Sequence, residues 1–196
     1  MKYVLLDRDG VINQRIQGGY VTAWEQFVFA PGALEGLRLL ALGGFSAVVV
    51  SNQACVGKGL ITSSDLDEIT RKFLKRVEEQ GGRIEAVYYC PHRKDEDCKC
   101  RKPEPGLLLE AQRRHQFSFA STFLIGDSET DLLAAHAVGS PALLIAASNS
   151  VLLGDVAWRP RATLPNLLAA AQFIMDIPGG ELERIQNPPV SIGRQS

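Results

Sequence analysis

Short apolar segments alternate along this chain with longer amphipathic ones, and no other feature of the sequence constrains the fold as strongly. Five short segments predict strands, at 3–6, 45–50, 84–89, 121–125 and 142–145. Each of these segments is apolar along most of its length, which is typical of strands that are covered on both faces. We therefore expect a sheet that is buried between two layers of other elements.

Amphipathic segments between these strands predict helices. They lie at 31–41, from Ser63 or Ser64 to the Gly81-Gly82 pair, from Pro105 onward, at 128–138 and at 163–175. Alternation of strands and helices predicts an α/β fold, in which a central parallel sheet has helices on both faces. We expect one Rossmann-like domain over 1–177. Residues 178–196 contain Gly-Gly and Pro-Pro, and they are predicted to be a C-terminal tail that need not be ordered.

The composition excludes several classes of partner. The 196 residues carry a net charge of -1, which gives no reason to expect nucleic acid or an anionic membrane as a partner. No window approaches the roughly 18 uninterrupted apolar residues of a membrane span. The N-terminal apolar run is too short for a signal peptide. We expect a soluble, cytoplasmic and monomeric protein that binds a small ligand.

Acidic, hydroxyl and basic residues follow three or four of the predicted strands. Because ligands of parallel α/β folds gather at the carboxyl ends of the strands, these residues are candidates for one site. A carboxylate nucleophile, a metal to bridge phosphate oxygens and cations to neutralise charge form a set for phosphoryl transfer. Taken alone, Asp-Gly after a strand is equally a simple turn. The candidates are Asp7, Asp9, Ser51, Asn52, Gln53, Arg101, Lys102, Asp127 and Asp131.

Three of the four cysteines crowd into one segment together with a histidine. Cys90, His92, Cys98 and Cys100 form a ligand set that suits a closed, tetrahedral Zn²⁺ site, which is structural rather than catalytic. The alternative is a group of incidental thiols beside a surface histidine. Zinc here would fix an irregular loop that ends at Arg101 and Lys102, the candidate cations of the site. Cys55 lies apart from this segment and is not expected to be a ligand.

The order Asp-Arg-Asp-Gly, Ser-Asn-Gln, Arg-Lys-Pro and Gly-Asp-x-x-x-Asp resembles the haloacid dehalogenase superfamily of phosphatases over about 2–145. The resemblance implies that Asp7 is the nucleophile that forms an aspartyl-phosphate. It implies that Asp9 is the general acid and then the general base. Mg²⁺ would be held by the carboxylates of Asp7 and Asp127 and by the main-chain carbonyl of Asp9. Ser51 and Lys102 match the residues that hold the phosphoryl group. Asp131 could either position Lys102 or lie behind the metal ligands and support them.

The predicted zinc loop resembles two branches of this superfamily, the D-glycero-D-manno-heptose 1,7-bisphosphate phosphatases and the histidinol-phosphate phosphatases. Both branches lack a large cap domain, so loops would shape the pocket. Ile12-Asn13, Gly19-Tyr20-Val21 and Trp24 look more like the heptose branch, although Ser128 stands where heptose enzymes often carry Lys. Substrate contacts are expected from Gln17, Gly18, Gly19, Tyr20, Asn52, Gln53 and Arg101.

The resemblance thus implies a Mg²⁺-dependent phosphatase for a small phosphorylated metabolite, a sugar bisphosphate cleaved at its 7-phosphate. Histidinol phosphate, or another small phosphorylated metabolite, is the first alternative. A histidinol phosphate would bring a cationic amine, for which the loop between Gly10 and Tyr20 offers no acidic partner, although Glu25 could supply one. The second alternative is a zinc-stabilised binding domain without catalytic activity.

Overall fold

The structure is a computed structural model, and it describes residues 2–146 and 159–177. Within these ranges six strands form one parallel sheet in the order β3-β2-β1-β4-β5-β6. The strands are β1 (Lys2–Leu6), β2 (Phe45–Asn52), β3 (Ile84–Cys90), β4 (Phe123–Gly126), β5 (Ala142–Ile145) and β6 (Ala162–Leu164). The predicted parallel sheet is therefore confirmed, and all five predicted strands are present.

Six α-helices accompany the sheet in the described residues. They are α1 (Ala33–Leu42), α2 (Ala54–Gly57), α3 (Ser63–Glu79), α4 (Gly106–His115), α5 (Glu129–Ala137) and α6 (Leu167–Asp176). The one-turn helix α2 was not predicted from the sequence. No described helix is both long enough and apolar enough to cross a bilayer. The predicted tail at 178–196 lies outside the described residues.

Alternate residues of the strands point into two separate cores, as the period of a strand requires. Val4 and Leu6 of β1 belong to a core that also contains the apolar faces of α1, α3 and α6. Leu5, between them in sequence, belongs to a second core with α4 and α5. Helices therefore cover both faces of the sheet, which explains why the strands are apolar along most of their length.

Helix α1 begins at Ala33, two residues after the predicted start, and two other helix starts differ for reasons that the structure shows. The cap of α3 is Thr62, one residue before the predicted Ser63 or Ser64: its hydroxyl accepts a hydrogen bond from the Asp65 amide, 3.1 Å away, and Asp65 bonds back to the Thr62 amide. The last predicted helix began too early, at Thr163. That residue lies in β6 and pairs with β5, and α6 begins after Pro165, where the Asn166 side chain caps it.

Helices α1 and α6 approach each other closely at Gly36. A Cβ at this position would lie 2.7 Å from the Leu167 carbonyl carbon and 2.8 Å from its oxygen. These are backbone atoms at the start of a capped helix, so they cannot move aside as the end of a flexible side chain can. Gly36 therefore allows the two helices to pack at this distance.

We expect Gly36→Ala to lower the free energy of unfolding by about 1–2 kcal/mol. Alanine is the better helix former by about 1 kcal/mol, but the new methyl group must push α1 away from α6. Urea denaturation measures the change, with Glu35→Ala, on the exposed face of the same helix, as the control. A Gly36→Ala protein as stable as Glu35→Ala would contradict this account of the contact.

Candidate active site

The site forms where β2, β1 and β4 lie side by side and end at the same edge of the sheet. Asp7 follows β1, Ser51 is the second-last residue of β2, and Asp127 follows β4. The Asp7 amide donates to the Ile125 carbonyl at 2.9 Å, so this carboxylate is placed by a continuation of the sheet's hydrogen bonding. Residues separated by as many as 120 positions in the sequence are therefore held together by strand order.

Lys102 is the buried cation of the site. Its ammonium lies 3.1 Å from Asp7 Oδ1 and 2.5 Å from Asp131 Oδ1, and it donates to the Val50 carbonyl at 2.7 Å. Burial lowers the pKa of Lys102, but Asp131 and Asp7 outweigh this and raise it above its usual value. The ammonium is therefore held charged next to the candidate nucleophile, and Asp131 positions it, as the sequence analysis suggested.

Asn52 holds the backbone of Lys102 rather than its side chain. Asn52 Nδ2 donates to the Lys102 carbonyl at 2.9 Å, and its Oδ1 accepts from the Lys102 amide at 3.0 Å. This pair of bonds ties the segment after the cysteine-rich loop to the end of β2. Arg101, the preceding residue, extends the other way and donates to the His92 carbonyl at 3.3 Å.

Asp9 is surrounded by donors. Both Arg8 and Asn13 donate to its Oδ1, and Gln53 Nε2 donates to its Oδ2 at 2.7 Å. Burial raises the pKa of Asp9, but the Arg8 guanidinium and these hydrogen bonds outweigh burial and hold the pKa below its usual value. In the free protein Asp9 is therefore ionised at neutral pH, which is the state of a general base.

Two residues around Asp9 differ from what the sequence suggested. Gln53 was predicted to contact substrate hydroxyls, but its side chain is fully buried and its amide is used by Asp9 and Ser51. The prediction was wrong because Gln53, the residue between β2 and α2, is buried and its amide already donates to the Asp9 carboxylate and the Ser51 hydroxyl. Arg8 was not predicted to contribute at all. It is fully buried, with its guanidinium near the rings of Phe27 and Tyr89, and the only sequence signal for it was its place between two aspartates.

A cavity of about 540 Å³ opens over these groups. Six of the seven predicted substrate-contact residues line it, all except Gln53. Its described lining contains only two carboxylates, Asp7 and Asp9, against four cationic side chains. The predicted contacts that line it are Gln17, Gly18, Gly19, Tyr20, Asn52 and Arg101, and the cations are Arg15, Lys58, Arg101 and Lys102. The cavity therefore suits an anionic ligand.

Carboxylate oxygens of Asp7, Asp127 and Asp131 lie within 4.8 Å of one another. Burial raises the pKa of Asp127 to about 7, and Asp7 and Asp131 act in the same direction although Arg15 opposes them. Gly10, at a φ of 86°, lies so close that a Cβ there would be 1.8 Å from Asp127 Oδ2. Crowded oxygen donors with raised pKa and a backbone shaped around them fit a hard divalent cation such as Mg²⁺. Both oxygens of Asp131 are already bonded, one to Lys102 and the other to Ser128, so Asp7 and Asp127 are the carboxylates that would hold it.

The second cluster lies in the loop after β3. Cys90, His92, Cys98 and Cys100 place their sulfur and Nδ1 atoms 3.3–3.6 Å apart in five of the pairs. These distances are too long for a disulfide, but they are close to the edge of a tetrahedron around a metal with bonds of about 2.0–2.3 Å to nitrogen and sulfur. The four side chains therefore fit one Zn²⁺, as predicted. Cys55 is buried elsewhere, against Ile61 and Leu66.

Asp7 and Asp131 share Lys102 but differ in their electrostatic balance. Burial raises the pKa of Asp7, and Asp131 and Asp9 raise it further despite Lys102 and Ser51. Its ionised form is therefore costly in the folded protein at neutral pH. Asp131, in contrast, receives Lys102 on one oxygen and the Ser128 amide and hydroxyl on the other.

We therefore expect Asp131→Asn to lower the free energy of unfolding by about 3 kcal/mol, because it breaks a buried, fully bonded ion pair. Asp7→Asn is expected to change it by less than about 1 kcal/mol or to raise it, because the amide removes a repelled charge and leaves Asp131 on Lys102. Urea denaturation at neutral pH compares the two variants. Equal losses would contradict this division between a stabilising and a reacting carboxylate.

A carboxylate after the first strand, a buried lysine bonded to it and two further carboxylates close by are the groups that phosphoryl transfer needs. Comparison with known proteins agrees. A family model described as HAD-hydrolase-like matches residues 99–170. The D-glycero-beta-D-manno-heptose-1,7-bisphosphate 7-phosphatase of Pseudomonas putida is 37% identical over 145 residues, which are 74% of this chain and 82% of that protein.

Two further relatives support the same grouping. The D-glycero-alpha-D-manno-heptose-1,7-bisphosphate 7-phosphatase of Mycobacterium bovis is 41% identical over 140 residues, covering 71% of this chain and 74% of that one. The crystal structure of D,D-heptose 1,7-bisphosphate phosphatase from B. bronchiseptica, complexed with magnesium and phosphate, superposes with a TM-score of 0.83 at 30% identity, covering 89% of this chain and 98% of that one. This chain belongs to the haloacid dehalogenase-like phosphatases, as the sequence motifs predicted.

Proposed function

We propose that this phosphatase removes the 7-phosphate of D-glycero-D-manno-heptose 1,7-bisphosphate. The observation that carries the proposal is the cavity lining, where four cationic side chains accompany a reactive centre that needs only one or two of them. A substrate with a second phosphate uses the remaining cations. The relatives in the comparison bear the names of both the alpha and the beta anomer phosphatases, so the proposal covers either anomer.

The chemistry follows from the groups around Asp7. Its carboxylate attacks phosphorus in line, the bond to the sugar oxygen breaks, and the leaving oxygen takes a proton from Asp9. In the second half, Asp9 removes a proton from water, which attacks phosphorus and releases inorganic phosphate and free Asp7. Lys102 stabilises the charge on the phosphoryl oxygens, with Ser51 beside it at the cavity wall. Mg²⁺, held by Asp7 and Asp127, would neutralise phosphate charge when bound.

The general acid step requires a proton on Asp9, which is ionised in the free protein. The substrate brings the negative charge of its phosphate next to this carboxylate, and a nearby like charge raises a carboxyl pKa. Binding therefore shifts Asp9 toward the protonated form that the first half of the reaction uses. Once the leaving group has taken the proton, the bonds from Arg8, Asn13 and Gln53 stabilise the carboxylate for its second role.

A primary phosphate suits this site better than a hindered secondary one. Asp7 lies at the base of the cavity with 6% of its surface exposed, so the reacting phosphate must enter on a narrow arm of the substrate. The sugar and the second phosphate then remain farther from Asp7, against other lining residues such as Arg101, Gly18 and Gly19. Glycine amides there can approach an anion closely because no side chain intervenes.

Histidinol phosphate, the alternative substrate, carries a cationic amine. The described lining offers this amine no carboxylate except Asp7 and Asp9, which the reaction itself occupies, and Glu25 does not line the cavity. A zinc-stabilised binding domain without activity, the other alternative, would need neither a charged lysine beside Asp7 nor a base at Asp9. The predicted monomeric state and cytoplasmic location stay predictions.

We expect kcat/KM for at least one anomer of heptose 1,7-bisphosphate to exceed that for histidinol phosphate by about tenfold or more, because charged hydrogen bonds to a second phosphate contribute about 1.5–3 kcal/mol each. Phosphate release with Mg²⁺ is measured for both anomers, histidinol phosphate and a simple aryl phosphate. Asp7→Asn is the control, and its turnover should be lost because an amide cannot form the acyl-phosphate. A histidinol phosphate value at or above both heptose values would overturn the substrate choice, and no release from any substrate would favour a binding domain.

We also propose that the cysteine-rich loop binds one Zn²⁺ per chain, separate from an exchangeable Mg²⁺. Cys98→Ala should abolish zinc retention and lower thermal stability, because the loop would lose the metal that holds its four side chains together. Cys55→Ala, which removes a thiol outside the cluster, should retain zinc. Metal analysis of protein purified without chelators decides the matter, and a wild-type protein without zinc would count against the site.

A further inference from the structure

Arg15 forms an ion pair with a metal-site residue that lies 112 positions away. Its Nη2 lies 2.5 Å from Asp127 Oδ1. The Arg15 side chain is 47% exposed, whereas that of Asp127 is 13% exposed. Asp7, Asp127 and Asp131 together are called the acidic group. Arg15 therefore reaches the acidic group from the solvent side, and it lines the same cavity as Asp7 and Lys102. No motif in the sequence marked this residue.

The position of Arg15 complements that of Lys102. The ammonium of Lys102 is bonded to Asp7 and Asp131, on the inner side of the acidic group. The guanidinium of Arg15 pairs with Asp127 on the more exposed side. Burial lowers the pKa of Arg15, but Asp127 and, more weakly, Asp7 and Asp131 raise it, so all three carboxylates attract this cation. Arg15 thus occupies the electrostatic position that a divalent cation on Asp7 and Asp127 would take.

Arg15 and a divalent cation cannot both be well placed at Asp127. The two would lie a few ångströms apart, where like charges repel by about 1 kcal/mol even in water and by more near a protein surface. A guanidinium that is half exposed is cheap to move, because its side chain has several free torsions and its loop continues into Gly18 and Gly19. The side chain already lines the cavity, so a displaced guanidinium stays within reach of a bound anion.

We propose that Arg15 is a displaceable counter-ion of the metal site and a specificity-determining residue. It pairs with Asp127 while no divalent cation is bound. When Mg²⁺ takes Asp127, the guanidinium turns into the cavity and binds the phosphate of the substrate that is remote from Asp7. The second half of this exchange rests on the proposed function, because it needs a substrate with two phosphates, whereas the first half does not.

The exchange couples metal binding to substrate binding. A second phosphate that captures the guanidinium removes the competitor of Mg²⁺, and by reciprocity bound Mg²⁺ favours a bisphosphate over a monophosphate. A monophosphate that reaches only Asp7 and Lys102 gains nothing from Arg15. Discrimination between the two kinds of substrate is therefore expected to depend on this residue, which lies outside the reacting group.

The first test measures Mg²⁺ binding by calorimetry on the full-length, zinc-loaded protein without substrate. Arg15→Gln should bind Mg²⁺ about three- to tenfold more tightly than wild type, since breaking a partly exposed ion pair and removing a repelling cation both act in this direction. Lys58→Gln is the matched control, because it removes a cation from the same cavity wall that is stacked on Tyr20 rather than paired with Asp127. It should change the Mg²⁺ affinity less than twofold. Equal affinities of the two variants would overturn the proposal.

The second test compares substrates at saturating Mg²⁺. In Arg15→Gln the ratio of kcat/KM for heptose bisphosphate to that for an aryl phosphate should fall about tenfold, mainly through KM for the bisphosphate, and Arg15→Lys should recover part of it. An unchanged ratio in Arg15→Gln would also overturn the proposal. Failure of the proposed function can be distinguished from failure of this inference. In that case the wild-type protein would prefer another substrate, but Arg15→Gln would still bind Mg²⁺ more tightly than Lys58→Gln does.

Discussion

The buried ammonium of Lys102 is the interaction on which the site depends. It lies between Asp7 and Asp131 and is also bonded to the carbonyl of Val50, so it joins the end of β2, the carboxylate after β1 and the helix after β4. This cation offsets part of the repulsion among three carboxylates whose oxygens lie within 4.8 Å of one another. The same cation also supplies the charge that a transferring phosphoryl group needs. The contacts of Lys102 with Asp7 and Asp131 thus serve both the stability of the site and its proposed chemistry.

The cysteine-rich loop is connected to the site through Lys102, which directly follows this loop. Lys102 follows Cys100 by two residues, and its backbone is tied to Asn52 by two hydrogen bonds. A loop without regular structure would normally place a side chain loosely, because little fixes its backbone. Here the cluster of three Cys and one His lies at one end of the segment and the Asn52 pair at the other. The proposed Zn²⁺ would therefore influence turnover without touching the substrate, because it would fix where the ammonium stands.

Cations of three kinds surround the acidic group, and they differ in how firmly they are held. Arg8 is fully buried and bonded to Asp9, so it is part of the framework and holds that carboxylate ionised. Lys102 is equally buried but faces the reacting atoms. Arg15 and Arg101 lie at the surface of the cavity, where solvent and ligand can reach them. This gradient from fixed to movable charge allows one cavity to hold a reactive centre rigidly and still adapt to the remote end of a substrate.

The parallel sheet, the acidic residues at its edge and the cysteine cluster could be predicted from the sequence, because they depend on local patterns: apolar strands followed by Asp7 or Asp127, and thiols spaced closely along one loop. A contact of Asp131 with Lys102 was one of two roles that the sequence suggested for Asp131. Features that depend on distant neighbours became visible only in the folded protein. Gln53 turned inward to Asp9, Thr163 joined a strand because β5 was available to pair with it, and Arg15 met Asp127 across 112 residues. Nothing in a local pattern specifies such pairs, since they arise only when strand order brings separate segments to one edge.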